Sequence, residues 1–104
     1  MALSRKKSRP VVVDGEPYRW AVSVDSGFGT VVVQHASGAG RRLEALTGEW
    51  LPGEPRAVTP AGVAALIRYA AGQGWDPRVP GPPLQIRRAD EVVDLFGEGT
   101  EPER

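Results

Sequence analysis

The chain has 104 residues, of which 40% are hydrophobic and 25% are charged, and its formal net charge is zero. A chain of this length forms one domain with a single modest core, and two separate cores are excluded. The absence of cysteine excludes disulfides and thiolate metal sites, and the neutral total charge argues against a dedicated binder of duplex DNA.

The chain is predicted to have three parts. Residues 1–9 are polar and basic without periodicity, so we expect a disordered arm there. Residues 10–96 are expected to form one α+β domain, and residues 97–104 a frayed acidic tail. The arm is either a plain solvated tail or a nucleic-acid contact. The basic side chains that would make that contact are Arg5, Lys6, Lys7 and Arg9.

The first two strands are predicted to form a hairpin. Residues 11–13 are three valines that lead into Asp14-Gly15, a pair suited to a tight two-residue turn. Residues 18–24 then alternate between apolar and polar side chains, which is typical of a half-buried strand. The residues expected on one face of this strand are Tyr18, Trp20, Val22 and Val24, with Arg19, Ala21 and Ser23 on the other.

Two further strands are predicted to extend this hairpin into an antiparallel meander. Glycine-rich turns over residues 25–29 and 37–40 bracket a β-branched strand over residues 30–35. Residues 41–46 are expected to form a fourth strand, although Leu43 and Leu46 also suit a short helical turn. The sheet is therefore expected to have three or four strands.

One long helix is predicted over residues 60–72, and it is expected to cover one face of this sheet. Its apolar stripe consists of Val63, Leu66, Ile67 and Ala70. Thr59 is a natural N-cap, and Pro60 suits the first helical position. Either Gly72 or Gly74 can end the helix in the left-handed conformation.

The remaining segments are expected to be irregular or short. Residues 47–56 and 76–83 are rich in proline and glycine and predict loops. Residues 84–87 are expected to form a last short strand, and residues 89–96 one or two helical turns. The predicted fold class is therefore α+β, with a three- to four-stranded antiparallel sheet, one long helix and a short C-terminal addition.

Three short motifs lie in the predicted sheet and at the two ends of the helix. They are Tyr18-Arg19-Trp20, Thr59-Pro60-x-x-Val63 and Gly74-Trp75-x-Pro77. Together they resemble a loose group of small, uncharacterised bacterial single-domain proteins, over most of residues 11–86. The resemblance implies a bacterial origin and a sheet covered by a helix. It carries over no catalytic or ligand-binding residue, because the matched positions are caps, turns and core aromatics.

No residue pattern in the chain predicts catalysis, a metal site or a cofactor site. His35 is the only histidine and is expected at the end of a strand. The glycine pairs in residues 27–29 and 38–40 lack the lysine and hydroxyl of a phosphate-binding loop, so they are interpreted as hairpin turns. The carboxylates of residues 90–94 lack calcium-loop spacing and are interpreted as a solvated surface.

The aromatic residues permit two interpretations. Tyr18 and Trp20 either pack under the helix or stack single-stranded bases from an exposed sheet, with Arg19 between them. Trp50 and Trp75 either cover the edge of the core or form a contact with a partner. Arg19, Trp50 and Trp75 are therefore the candidate partner-contact residues.

These observations favour a non-enzymatic protein-interaction module, without a cofactor, that binds another protein or a second copy of itself. The open edges of a small antiparallel sheet are expected to contribute to such pairing. The alternative is weak binding of single-stranded nucleic acid through the arm and the sheet aromatics. The absence of cysteine fits a cytoplasmic location, and no apolar run approaches the length of about 18 residues that a membrane span requires.

Overall fold

The computed structural model describes residues 8–25, 28–49 and 58–95, and it has the α+β architecture that the sequence predicts. The elements in chain order are β1 (Arg9–Val13), β2 (Glu16–Asp25), β3 (Phe28–His35), β4 (Leu43–Glu49), α1 (Pro60–Gly72), β5 (Leu84–Ile86) and α2 (Ala89–Val92). The five strands form one sheet in the order β1-β2-β3-β4-β5. The first four strands are the predicted antiparallel meander.

The first hairpin turns at Asp14-Gly15, as predicted. Both residues have positive φ values, 52° for Asp14 and 83° for Gly15. Two left-handed residues in succession form a type I′ turn, whose twist matches that of the flanking strands. The turn pairs Val13 with Glu16 and so sets the register of β1 on β2.

The strand alternative for the fourth predicted element is confirmed, because β4 pairs with β3 over most of its length. The strand begins later than predicted and extends to Glu49, so the predicted loop over residues 47–56 is wrong for its first three residues. The register places Val31 opposite Ala45 and Val33 opposite Leu43. A bulge interrupts the pairing between Phe28 and Thr30. There the Thr47 hydroxyl donates to the Gly29 carbonyl and accepts from the Gly29 amide, each at 3.1 Å. This side chain satisfies backbone groups that the bulge takes out of the ladder.

The predicted strand count and the purely antiparallel sheet need correction, because β5 joins the same sheet as a fifth strand parallel to β4. Leu43 lies opposite Leu84, and Ala45 lies opposite Ile86. The chain leaves β4, crosses through α1 and returns in the direction of β4, which makes the pairing parallel. The alternation of apolar residues predicts a short strand here, but it carries no information on which strand is the neighbour.

Helix α1 begins and ends through caps that the sequence encodes. The Thr59 hydroxyl accepts from the Gly62 amide at 3.1 Å, with Pro60 at the first helical position. At the other end Gly74 has φ +96°, so it is the glycine that ends the helix. The Trp75 amide then donates to the Ala70 carbonyl at 3.0 Å, as in a Schellman motif.

The core lies between α1 and one face of the sheet. The predicted helix stripe is buried there, with Val63, Leu66 and Ala70 fully inaccessible and Ile67 3% exposed. The sheet contributes a set of alternating residues from all five strands. They are Val13, Tyr18, Trp20, Val31, Val33, Leu43, Ala45 and Ile86.

The described C-terminal segment crosses the start of α1. Leu95 is fully buried, and its carbonyl accepts from the Thr59 amide at 3.1 Å. The approach is so close that a Cβ built on Gly62 would lie 1.9 Å from the same carbonyl oxygen. The predicted helical turns over residues 89–96 are observed as one short helix, α2, followed by this crossing.

Candidate functional site

The sheet has a second face, opposite to α1, which we call the open face. Side chains alternate along each strand, so the register assigns twelve described residues to it. They are Pro10, Val12, Pro17, Arg19, Ala21, Ser23, Thr30, Val32, Gln34, Glu44, Leu46 and Gln85. No apolar residue of this set belongs to the core cluster of the described chain, although Gln34 in this set is only 2% exposed.

The middle of the open face is apolar. Val32 lies on the central strand β3, opposite Ala21 on β2 and opposite Glu44 on β4. Ala21, Val32 and Leu46 are each partly accessible, and Val12 on β1 is 69% exposed. Burying side chains of this kind is favourable at about 25 cal/mol per Å² of apolar surface.

Two charged residues flank this apolar centre, one on each neighbour of β3. On β2 the Arg19 guanidinium donates to the hydroxyl and to the carbonyl of Ser8, both at 2.7 Å. On β4 the Glu44 carboxylate accepts from the Gln85 amide at 3.1 Å. Arg19, a predicted partner-contact residue, therefore lies on the open face and is held in place by the start of β1.

The two edges of the sheet offer little for strand addition. The type I′ turn makes Val13 and Glu16 a hydrogen-bonded pair, and such pairs alternate with non-hydrogen-bonded pairs along β1. Pro10 and Val12 are in non-hydrogen-bonded pairs, so their backbone groups face away from β2. Pro10 has no N–H to donate. The other edge, β5, has three residues and follows Pro82-Pro83. The free edges expected to pair with a partner are therefore blunted within the described strands.

The sheet aromatics lie in the core, which removes the surface that base stacking would need. Tyr18 is 6% exposed and Trp20 is 3% exposed. Burial is also the main cause that raises the pKa of the Tyr18 hydroxyl. Arg9, expected in the disordered arm, is the first residue of β1, and its guanidinium carbon lies 5.8 Å from the Trp20 ring centroid.

Trp75 is also a core residue and not a surface contact. It is 3% exposed, its indole donates to the Arg41 carbonyl at 3.2 Å, and its ring lies 6.1 Å from that of Tyr18. Of the two interpretations of Trp75, the structure matches the one in which it covers the core edge. The remaining candidate contacts, Arg5, Lys6, Lys7 and Trp50, lie outside the described residues.

One polar cluster was not predicted from the sequence. The Glu16 carboxylate binds the His35 Nε2 at 3.0 Å and also pairs with the Arg78 guanidinium. Hydrogen bonds from Arg78 and then from His35 are the main causes that lower the pKa of Glu16. The three residues are far apart in sequence, so no local pattern could have placed them together.

The cluster contains the hydroxyl–imidazole–carboxylate order of a serine hydrolase, but its contacts close a turn. The Ser37 amide donates to the His35 Nδ1 at 3.2 Å, while the His35 Nε2 faces the Glu16 carboxylate. The Ser37 hydroxyl lies 3.0 Å from the same Nδ1 and accepts from the Ala39 amide at 3.4 Å. These are side-chain bonds within one hairpin turn, and we assign them a structural role.

A neighbouring contact fixes the same turn against the loop that follows α1. The Arg41 amide donates to the Val79 carbonyl at 3.0 Å, and the Arg41 side chain donates to the Pro82 carbonyl at 2.9 Å. At Gly40 a Cβ would lie 1.5 Å from the Pro77 carbonyl oxygen. The two loops are therefore in direct backbone contact.

Among the described residues, no group of three or more histidines and carboxylates is placed to hold a metal ion. No helix in this part of the chain is long and apolar enough to cross a membrane. Comparisons with protein-family models, curated proteins and solved structures found no match to the chain.

Proposed function

We propose that this chain is a non-enzymatic protein-interaction module that docks a protein partner on the open face of its sheet. The observation that carries the proposal is the pairing of an apolar centre at Val32 with flanking charges at Arg19 and Glu44. No described element packs on that centre, whereas the opposite face is filled by α1. The setting we propose is the cytoplasm of a bacterium. The lack of cysteine fits the cytoplasmic location.

The composition of the face resembles that of a transient interface. Protein interfaces have an apolar centre inside a polar rim, and apolar patches of a few hundred Å² on a monomer commonly mark contact sites. If docking removes roughly 300 Å² of apolar surface from water, the gross gain is about 7 kcal/mol. Loss of translational and rotational freedom consumes much of this gain, so we expect a weak, reversible complex.

The open face is a better candidate than the sheet edges or a nucleic acid. Each edge strand exposes very little backbone that could pair with an added strand, because Pro10 interrupts β1 and β5 has three residues. Nucleic-acid binding through stacked bases would need the rings of Tyr18 and Trp20, which are buried. The arm alone remains for that alternative, and its binding would weaken as the salt concentration rises.

An affinity capture from a lysate of the source bacterium tests the proposal, with the Val32→Glu variant beside the wild type. A carboxylate at the centre of the apolar patch would have to be buried unpaired, so we expect the captured partner to be lost. The matched control is Ala61→Glu, which adds the same charge at an exposed position of α1 on the other side of the molecule. Each capture is repeated after nuclease treatment.

Three results decide the matter. Loss of a captured protein in Val32→Glu but not in Ala61→Glu supports the open face. A protein that the wild type, Val32→Glu and Ala61→Glu capture equally well contradicts docking on the open face. A partner that disappears only after nuclease treatment would revive the nucleic-acid alternative.

A further inference from the structure

We infer that Arg88 is a binding residue, held on the surface by a strained backbone, and that its guanidinium takes a carboxylate of a protein partner. The surface to which it belongs consists of Arg87, Arg88 and Val92, and we call it the α2 surface. It follows the C-terminal end of β5. None of its residues belongs to the open face, so the inference goes beyond the proposed function and does not rest on it.

The backbone of Arg88 is strained. Its φ and ψ of 53° and 47° lie in the left-handed region, which lowers the folding equilibrium constant of an L-residue by a factor of roughly 5–30. The other described non-glycine residue with positive φ is Asp14. Aspartate tolerates this region, because its short polar side chain forms local hydrogen bonds. Arginine has no such side chain, so the residue type at position 88 does not suit its backbone conformation.

The conformation of Arg88 is imposed by the chain that follows it. The left-handed residue turns the backbone from β5 into α2, and the next side chain, Ala89, is fully buried. The Glu91 amide closes the turn by donating to the Arg88 carbonyl at 2.9 Å. These contacts use only the backbone of residue 88. Glycine would therefore make the same turn without strain.

The contacts of the Arg88 side chain within the molecule do not offset this strain. The side chain does not cap α2. Its Nη1 lies 3.7 Å from the Glu91 Oε2, and the two side chains are 77% and 63% exposed. Exposed ion pairs of this kind stabilise a fold very little. Residues in sparsely populated backbone regions cluster at active sites and ligand clamps. We therefore assign the Arg88 guanidinium a ligand outside the chain.

The neighbours of Arg88 indicate the class of this ligand. Arg87 is exposed and makes no hydrogen bond or ion pair within the described part of the chain. Val92, the last residue of α2, is 46% exposed and adds apolar surface one helical turn after Arg88. The guanidinium fork binds a carboxylate through two parallel hydrogen bonds. The α2 surface therefore fits a carboxylate that lies next to an apolar side chain.

The charges around the α2 surface favour a protein segment over a polyanion. Two arginines in residues 87–94 are followed by three carboxylates, those of Asp90, Glu91 and Asp94. A nucleic acid or a polyphosphate would place further negative charge beside these carboxylates and would be repelled. A single carboxylate needs only the two guanidinium groups. The ligand we infer is a segment of a partner protein in which one aspartate or glutamate adjoins an apolar residue.

NMR titration of the 15N-labelled full chain with the peptide acetyl-Asp-Leu-amide tests the inference, and acetyl-Asn-Leu-amide is the control ligand. We expect the Nε–Hε signals of Arg87 and Arg88 to shift saturably, with a Kd of roughly 1–10 mM for so small a ligand. The neutral peptide is expected to bind at least about tenfold more weakly, because it offers no charge to the guanidinium fork. Equal shifts at every exposed arginine overturn the inference. Inorganic phosphate that binds these two arginines as tightly as the acidic peptide overturns the class of ligand.

Two variants separate a binding role of Arg88 from a structural one. Arg88→Gly is expected to raise the folding equilibrium constant several-fold in urea unfolding, and to weaken the acidic peptide at least about tenfold. Arg88→Lys keeps the backbone strain but loses the planar fork, so it is expected to weaken binding without a gain in stability. The matched control is Asp14→Gly, which introduces glycine at the other left-handed position, in the β1–β2 turn. It is expected to leave peptide binding unchanged.

The results for Arg88→Gly decide between the two roles. A higher stability together with weaker binding supports the inference, because a structural arginine does not oppose the two. A lower stability shows that the arginine makes an internal contact that offsets its strain, and this refutes the inference. Binding as tight as that of the wild type refutes it as well. None of these measurements involves Val32, so their failure does not bear on docking at the open face.

Discussion

Among substitutions in α1 that add or remove one methyl group, Gly62→Ala is expected to lower the unfolding free energy most. The added Cβ would lie 1.9 Å from the Leu95 carbonyl oxygen and 2.4 Å from its carbonyl carbon. Because both atoms belong to the backbone, relief requires the crossing segment to move by about 1 Å or more. That movement breaks the bond from the Thr59 amide to Leu95 and withdraws the buried Leu95 side chain.

The magnitude follows from these two losses. A hydrogen bond to a buried backbone group contributes about 1 kcal/mol. Partial exposure of a leucine costs roughly 2 kcal/mol. Alanine recovers about 0.5–1 kcal/mol through its better helix propensity. The net loss of unfolding free energy is therefore about 2–2.5 kcal/mol, which in a domain of this size lowers the Tm by roughly 8–20 °C.

The matched control lies in the same helix. At Gly72 an added Cβ meets nothing within 4 Å, so Gly72→Ala is expected to be neutral or to stabilise by up to about 1 kcal/mol. Urea unfolding followed by tryptophan fluorescence measures both variants, since Trp20 and Trp75 are buried. If the two variants differ by less than about 0.5 kcal/mol, Leu95 does not pack against Gly62 as described.

Three further predictions follow from capping, from a buried donor and from the polar cluster. Gly74→Ala should cost about 1–2 kcal/mol in urea unfolding, because Gly74 has φ +96° and a side chain is strained there. Trp75→Phe should cost about 1–3 kcal/mol by the same measurement, because the Arg41 carbonyl loses its indole donor, and an unchanged stability would contradict the buried bond. Glu16→Gln should destabilise at pH 7, and this effect should shrink as the pH is lowered. The lowered pKa of Glu16 gives stability that is present above its ordinary value of 4.5 and is lost as the pH falls through the lowered value. A destabilisation that stays constant towards acidic pH would show that charge is not its origin.

The parts of the fold that local chemistry determines were predictable from the sequence. Asp14-Gly15 encodes its own turn through two residues that tolerate positive φ. Thr59 and Pro60 likewise encode the start of α1, whatever the helix packs against. The apolar stripe of α1 and the apolar face of β2 are then predicted to pack against each other, because each element has a single apolar face to bury.

The parts that depend on distant contacts were not predictable. Nothing local to residues 84–86 states that they pair with β4, since that pairing is decided by where α1 delivers the chain. The cluster of Glu16, His35 and Arg78 is likewise created by tertiary structure. The open face was predicted in composition, as the strand face that carries Arg19, Ala21 and Ser23. Its apolar centre at Val32 could be located only once the register was known.

The contact between Leu95 and Gly62 has a consequence for how the protein is made. Leu95 lies close to the C-terminal end of the described chain, whereas the strands of the meander lie within the first half. During synthesis the meander is therefore able to form before the residues that secure the start of α1 have left the ribosome. A truncation just before Leu95 would leave all five strands and the buried stripe of α1 in place, with the start of the helix deprived of its contact to Leu95.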